Sequence, residues 1–173
     1  MSTQFSKLAL IGIGLIGSSI ALAARRYGLA QTIAISTRKS ETLAEAKALN
    51  LGDLYTLDAA EAVQGADLVI ICTPVGAYET VMRTIAPALE RGTILSDVGS
   101  VKGHVVRTLA PLVPQGVHLI PGHPLAGTEH SGPSAGFADL FAGRWCVLTP
   151  CAEIDPAQTE KLARFWRAMG SQV

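Results

Sequence analysis

The chain has 173 residues, of which 49% are hydrophobic and 16% are charged. The charged share is low against the usual ~25%, so the composition predicts an ordered globular fold and excludes intrinsic disorder. Lysine plus arginine (14) balances aspartate plus glutamate (14), and a net charge of zero argues against nucleic acid or a membrane surface as partner. The longest apolar runs have the length of a strand, far below the ~20 residues of a membrane span.

Strand and helix patterns alternate along the chain. Strands are predicted at residues 7–11, 32–36, 54–57, 67–72, 93–96, 117–120 and 145–149, and helices at residues 15–27, 40–49, 77–89, 101–110 and 156–169. The strands are continuous apolar runs, which is typical of strands buried on both faces. The alternation predicts an α/β fold with a doubly wound, mostly parallel sheet and helices on both faces. Residues 121–143 are rich in glycine and proline, and a loop of this length is usually functional.

The sequence GIGLIG at residues 12–17 follows the first strand and opens the first helix. This is the context in which a G-x-G-x-x-G motif binds a dinucleotide. Gly12 permits the tight turn, Gly14 lets the backbone approach a pyrophosphate, and Gly17 lets the helix pack closely on the sheet. Together with Leu15 and Ile16 these glycines are predicted to bind the cofactor of a Rossmann-type domain spanning residues 1–173. A tight turn without a ligand is the alternative.

The end of the second strand bears on which dinucleotide is bound. An NAD site usually has an acidic residue there for the ribose hydroxyl, whereas this chain has Ser36, Thr37, Arg38 and Lys39, with no acid before Glu41. Hydroxyls and a guanidinium favour a 2′-phosphate. The sequence therefore predicts NADP as cofactor, with NAD as the alternative if these residues form only a solvated turn.

A second stretch is predicted to border the cofactor, because open α/β sheets bind ligands at the carboxyl ends of their strands. It consists of Cys72, Thr73, Pro74 and Val75, which end the fourth strand. Cys72 itself is expected to be buried and unreactive.

The three cysteines, Cys72, Cys146 and Cys151, are odd in number and form no CxxC pair. This pattern favours reduced thiols that fill the core over disulfides or metal ligands. No metal site is predicted, and a cytoplasmic location is expected.

Three further stretches carry a resemblance to a known family: DVGSVKG from Asp97, PGHPLAGTEHSG from Pro121 and RWCVLTP from Arg144. With the glycine motif, the chain resembles the nucleotide-binding domain of the prephenate/arogenate (cyclohexadienyl) dehydrogenase family of tyrosine biosynthesis. The resemblance implies oxidative decarboxylation of prephenate, arogenate or both, with a nicotinamide cofactor as hydride acceptor. It does not distinguish between the two substrates.

The resemblance also implies catalytic residues. His123 would accept the proton of the ring hydroxyl, and Gly122 and Pro124 are expected to hold it in an exposed turn. Ser100 would contact both the nicotinamide and the substrate and hydrogen-bond with His123, while also acting as the N-cap of the following helix. A purely structural histidine is the alternative. Lys102 is either a surface residue or a group near the cofactor, and the surface position is favoured.

Thr128 and Glu129 are placed by the resemblance at the mouth of the substrate pocket, where they would bind the substrate or control its entry. Loop capping and solvated charge explain these two residues equally well. Arg144 is expected to flank a strand rather than bind an anion.

Members of this family continue into a helical domain that forms a homodimer and supplies an arginine for the substrate carboxylate. Because the sequence stops at an apparent strand entry, we expect a fragment that binds NADP or NAD but turns over substrate poorly. Two other functions remain open: a non-catalytic NAD(P)-sensing module, and another small-substrate NADP-dependent reductase.

Overall fold

The computed structural model describes residues 4–173. Its main sheet consists of β1 (Phe5–Ile11), β2 (Ala30–Ser36), β3 (Leu54–Thr56), β4 (Leu68–Ile71), β5 (Ile94–Asp97) and β6 (His118–Leu119). The six strands are parallel and lie in the order β3-β2-β1-β4-β5-β6. The strand order therefore reverses between β1 and β4, and this leaves a crevice at their carboxyl ends.

The helices cover both faces of this sheet, as the sequence predicts. They are α1 (Leu15–Arg26), α2 (Ser40–Ala48), α3 (Ala59–Val63), α4 (Tyr78–Ile85), α5 (Lys102–Leu109) and α6 (Pro156–Ala168). Leu8 and Leu10 of β1 belong to the apolar core under α1, α2 and α6, while Ala9 and Ile11 belong to the core under α3, α4 and α5. No helix within residues 4–173 is long and apolar enough to cross a bilayer.

Two helical regions differ from the sequence-based prediction. Helix α3 is missing from it, because five residues are too few to show a helical period; Asp58 caps this helix by accepting the N–H of Ala60 at 2.9 Å. The helix predicted at residues 77–89 begins at Tyr78 and ends at Ile85, and a 3₁₀ turn containing Pro87 follows it. Proline has no N–H to donate, so the α-helical ladder stops there.

His123 lies on a second, smaller sheet, so the prediction of an exposed turn is wrong. Strand β7 (Gly122–Pro124) pairs antiparallel with β8 (Cys146–Leu148). Glycine and proline beside a histidine usually indicate a turn. Here Gly122 is needed for close packing instead, because a Cβ on it would lie 3.0 Å from the carbonyl oxygen of Asp97 in β5.

Candidate functional site

A cleft of about 1160 Å³ runs along the carboxyl ends of β1, β2 and β4. This is larger than the roughly 300–1,000 Å³ of most small-molecule pockets and suits a long ligand. The predicted cofactor residues that line it are Gly12, Gly14, Ser36, Thr37, Arg38, Lys39, Cys72, Thr73 and Pro74. Those outside its lining are Leu15, Ile16, Gly17, Val75 and Ser100.

The glycine turn after β1 is held together by contacts that exclude side chains. Gly12 has a φ of +97°, and a Cβ there would lie 2.8 Å from the backbone of Cys72 and Thr73. A Cβ on Gly17 would lie 2.5 Å from the carbonyl oxygen of Gly12. A Cβ on Gly14, in contrast, would meet nothing within 4 Å, so this glycine leaves room on the cleft side. Helix α1 begins here without a side-chain cap, which leaves its first N–H groups free for an anion.

The end of β2 supplies the polar wall of the cleft. Ser36 is buried, Thr37 is half-buried and Arg38 is exposed. Two carboxylates line the same cleft, but both already accept backbone hydrogen bonds: Glu45 from Ser134 at 3.2 Å and Asp58 from Ala60 at 2.9 Å.

The end of β4 offers a polar atom without a partner. The hydroxyl of Thr73 is buried and makes no hydrogen bond within the described residues, yet the residue lines the cleft. Buried hydroxyls are normally satisfied, so this atom is suited to a ligand. Burial, and secondarily the charge of Asp97, raise the pKa of the neighbouring Cys72 thiol. The free helix terminus, the open space at Gly14 and this hydroxyl together fit a dinucleotide.

Asp97, at the end of β5, is the centre of a buried hydrogen-bond network. Its side chain is fully buried. It accepts the N–H groups of Gly99 and Gly122 at 2.8 and 3.1 Å and the hydroxyl of Tyr78 at 3.1 Å. The ammonium of Lys102 lies 2.6 and 2.5 Å from its two carboxylate oxygens. Asp97 has no role in the sequence-based prediction, although an acid that ends an apolar strand at the ligand-binding edge is a usable signal.

Lys102 turns inward, so the favoured surface position is wrong. Only 15% of its side chain is exposed, and its ammonium also donates to the carbonyl of Gly122 at 2.6 Å. Burial lowers the pKa of Lys102, while its ion pair with Asp97 opposes that shift. The physical reason for this placement is the buried carboxylate, which needs a counter-charge.

His123 is half-buried on β7. It follows Gly122, whose backbone binds both Lys102 and Asp97. Burial lowers the pKa of His123, the positive charge of Lys102 lowers it further, and Asp97 opposes the shift. The imidazole is therefore neutral near pH 7 and able to accept a proton. On the partner strand, burial raises the pKa of Cys146 to about 12, so this thiol stays protonated.

Ser100 is exposed in the turn between β5 and α5, and its predicted capping role is wrong. The residue at the N-cap of α5 is Val101, and it makes no side-chain capping bond. The helix begins one residue later than predicted, because the turn is fixed by the bond from Gly99 to Asp97 rather than by a serine cap.

Thr128 and Glu129 lie on an exposed part of the long loop. The Thr128 hydroxyl accepts the N–H of His130 at 3.2 Å, and Glu129 lies 3.5 Å from the His130 ring. Glu129 lines a separate, open pocket of about 570 Å³ and not the main cleft.

Part of the long loop at residues 121–143, which the sequence predicts to be functional, closes one side of the cleft. This strap, residues 132–136, contributes its first two residues to the lining. Ser134 donates its N–H to Glu45 of α2 at 3.2 Å. Gly136 packs against α1 so closely that a Cβ would lie 2.2 Å from the hydroxyl of Ser18. The glycines of the loop were the one sequence signal for this strap. They could not identify its contact partners, because Ser18 and Glu45 lie far away in sequence.

The cleft and the histidine strand are joined through the buried network. The Tyr78 hydroxyl lies 3.5 Å from the carbonyl of Ile71, the last residue of β4, and also bonds to Asp97. Asp97 in turn holds Gly122, the neighbour of His123. Within residues 4–173 no cluster of three or more histidine, cysteine or acidic side chains that could hold a metal ion is present.

Comparison with known proteins gives the site a family. The family profile described as "Prephenate dehydrogenase, nucleotide-binding domain" matches residues 20–173. The cyclohexadienyl dehydrogenase of Zymomonas mobilis is 42% identical over 171 residues, which cover 99% of this chain and 58% of that protein.

Two solved structures are similar over nearly the whole chain. Prephenate dehydrogenase from Aquifex aeolicus, in complex with hydroxyphenyl propionate and NAD+, has a TM-score of 0.89 at 27% identity and covers 100% of this chain and 59% of its own. Synechocystis arogenate dehydrogenase has a TM-score of 0.88 at 30% identity and covers 96% of this chain and 58% of its own. The chain thus spans a little under three fifths of the length of each of these relatives.

Proposed function

The chain belongs to the prephenate dehydrogenase family as its nucleotide-binding domain, and on that premise we propose that it carries the cofactor and the proton acceptor for oxidative decarboxylation of prephenate or arogenate. The observation that supports this most is the position of His123. A neutral imidazole lies on a strand fixed to the end of β5, at the same edge of the sheet as the dinucleotide-sized cleft.

The chemistry needs alignment and one proton acceptor. A nicotinamide bound in the cleft would supply the hydride acceptor for the ring carbon that bears the hydroxyl. His123 would accept the hydroxyl proton as the carbonyl forms; loss of the ring carboxylate as carbon dioxide then makes the ring aromatic, and the phenolate oxygen takes the proton back. The glycine turn at Gly12 and Gly14 and the free end of α1 would hold the pyrophosphate of that cofactor. The hydroxyl of Thr73 supplies a hydrogen bond inside the cleft.

The surface around His123 suits a carbocyclic substrate. Val147 lies opposite His123 in the small sheet and is 42% exposed. Leu125 and Trp145, joined by a backbone hydrogen bond of 2.7 Å, continue the same face by strand alternation. We place the substrate ring against this apolar face, with Ser100 near the nicotinamide and Thr128 and Glu129 on the outer side.

For the cofactor we propose NADP, with NAD as the alternative. Arg38 is exposed at the cleft and makes no ion pair within residues 4–173, and Ser36 and Thr37 lie beside it. A free guanidinium and two hydroxyls match a 2′-phosphate. The structure of the Aquifex aeolicus relative contains NAD+, which supports NAD as the alternative.

The activity is tested on the polypeptide as the cell makes it. Formation of reduced cofactor is followed with prephenate and with arogenate, for the wild type, His123→Asn and the matched control His104→Asn. We expect kcat to fall about 10²–10⁴-fold for His123→Asn, with unchanged cofactor affinity, and no change for the control. Full turnover by His123→Asn would contradict the proposed role.

The cofactor preference is tested by titrating NADPH and NADH against protein fluorescence. Wild type should bind NADPH more tightly, and Arg38→Ala should lose about tenfold or more in NADPH affinity with little change for NADH. Arg164→Ala, an exposed residue of α6, serves as control. Tighter binding of NADH by the wild type would reverse the preference.

Two other functions give different results in the same experiments. A non-catalytic NAD(P)-sensing module would bind cofactor but show no turnover with either substrate. Another small-substrate NADP-dependent reductase would show turnover only with a different substrate class, and membership in the prephenate dehydrogenase family argues against it.

A further inference from the structure

The residue that precedes His123 is held at both of its backbone groups by one ion pair. The ammonium of Lys102 donates to the Gly122 carbonyl at 2.6 Å, and Asp97 accepts the Gly122 N–H at 3.1 Å. Lys102 and Asp97 also bind each other at 2.5 and 2.6 Å. We propose that Lys102, through its pair with Asp97, is a positioning residue that fixes β7 and thereby His123 at the end of β5.

The pair is built into the fold rather than formed on its surface. Asp97 is fully buried and also accepts hydrogen bonds from Gly99 and from the Tyr78 hydroxyl. A carboxylate offers about four lone-pair sites, so its capacity is filled by groups from β7, the turn after β5, α4 and α5. Each of these elements is therefore located relative to the others by one side chain.

The two strands of the small sheet are held in different ways. Cys146 of β8 is buried in the core and donates its N–H to the Gln172 carbonyl at 2.7 Å. Strand β7 has three residues and, within residues 4–173, pairs with β8 in a sheet separate from the six-stranded one. Two-stranded sheets are marginal by themselves. The hydrogen bonds to Gly122 are thus a main tie between the histidine strand and the rigid parallel sheet.

The pair also sets the charge around the imidazole. Two charged groups affect the His123 pKa, Lys102 from α5 and Asp97 from β5, and they act in opposite directions; the Cys146 thiol of β8 is close to the backbone of His123 and stays protonated. Removing the cation leaves Asp97 unopposed. The His123 pKa should then rise, and this would be visible in any titration of that ring.

The test uses NMR on the 173-residue chain and needs no turnover. In Lys102→Met we expect the Gly122 amide to exchange with solvent about tenfold faster or more, and the His123 ring to titrate at a higher pH than in the wild type. Lys47→Met, at the exposed end of α2, should change neither. The His123 resonance is assigned from its loss in His123→Asn.

Unchanged exchange at Gly122 and an unchanged His123 titration in folded Lys102→Met would overturn the proposal. If Lys102→Met fails to fold, the wild type still decides: a Gly122 amide that exchanges as fast as that of Gly127, in the exposed loop, would also overturn it. The importance of this positioning for catalysis rests on the proposed function. The Gly122 exchange rate and the His123 titration do not depend on that function. Absence of turnover would therefore reject the proposed function while leaving the positioning role measurable.

Discussion

The imidazole of His123 is influenced by a cation and a carboxylate that pair with each other, and the balance between burial and these charges determines its protonation. Burial and Lys102 both lower its pKa below the ordinary 6.5, against the opposing effect of Asp97. In the proposed mechanism His123 is the proton acceptor and works only while it is unprotonated, so activity should be lost as the pH falls through this lowered value.

We therefore expect kcat/KM to be constant from neutral pH upward through pH 8 and to fall on the acid side with a midpoint below 6.5. The measurement is a pH–rate profile between about pH 5 and 9, since kcat/KM reports the ionisation of the free enzyme. In Lys102→Met the same midpoint should move toward higher pH. A wild-type midpoint above 6.5 would contradict the neutral, desolvated imidazole described by the structure.

The three thiols lie in different environments and should react at different rates. Burial raises the pKa of Cys72 and brings that of Cys146 to about 12, and thiolate is the reactive form. Cys72, in the cleft lining, and Cys151, in the loop before α6, are both half-buried, whereas Cys146 is buried, so burial of the thiol itself rather than of the residue protects Cys72. Titration with a thiol reagent at pH 7.5 should modify one thiol rapidly, which is abolished in Cys151→Ser, and the other two only on unfolding. Rapid reaction of two or more thiols in the native protein would be inconsistent with this placement.

At the scale of the elements, different glycines of the turn after β1 should serve dinucleotide binding and fold stability. Gly14 has open space around its missing Cβ, whereas a Cβ on Gly17 would come within 2.5 Å of the Gly12 carbonyl. Gly14→Ala should therefore fold normally and bind dinucleotide at least about tenfold more weakly, because the methyl group occupies the approach of the pyrophosphate. Gly17→Ala should lower the free energy of unfolding by about 1–3 kcal/mol through overpacking.

Urea unfolding and NADPH titration of these two variants measure the two effects separately. Gly127→Ala is the matched control, because its Cβ would meet nothing within 4 Å and it lies outside the cleft lining. Equal loss of stability in Gly14→Ala and Gly17→Ala would show that the turn does not divide the two roles in this way.

The same turn was readable from the sequence, and so was the parallel sheet. Buried parallel strands appear as continuous apolar runs, which locate β1, β2, β4 and β5 within one or two residues, and the glycine spacing places the cofactor cleft. These features depend on residues adjacent in the chain. A short helix such as α3 has too few residues to give a periodic signal.

What the sequence could not show depends on contacts between distant residues. The strand at His123 exists because Gly122 packs on Asp97, 25 residues earlier, and receives a hydrogen bond from Lys102. From sequence alone, a lysine in the first turn of a helix, such as Lys102, is expected to be solvated. Its inward position follows only once the buried carboxylate of Asp97 is seen. The strap is similar, since Ser134 binds Glu45 across 89 residues of sequence.

For the molecule as a whole, the cleft joins segments from residues 11–84 with residues 132–133 of the strap. The turns after β1, β2 and β4, helices α2 and α4 and the strap all contribute to its walls. A ligand that contacts all of them binds the folded state and not the unfolded chain. Its binding free energy is therefore added to the stability of the whole domain.

At a ligand concentration of 100 times Kd this linkage is worth about 2.7 kcal/mol. For a domain of this size, 1 kcal/mol shifts Tm by roughly 2–4 °C, so a saturating dinucleotide should raise Tm by about 5–10 °C. Differential scanning fluorimetry with NADPH and NADH measures it, and the cofactor that binds more tightly should give the larger shift at equal concentration. At the same ligand concentration, tenfold weaker binding in Gly14→Ala should remove about half of the shift, without changing Tm in the absence of ligand. An equal shift in Gly14→Ala and wild type would show that the bound dinucleotide does not approach residue 14, and would contradict the assignment of the glycine turn to the pyrophosphate.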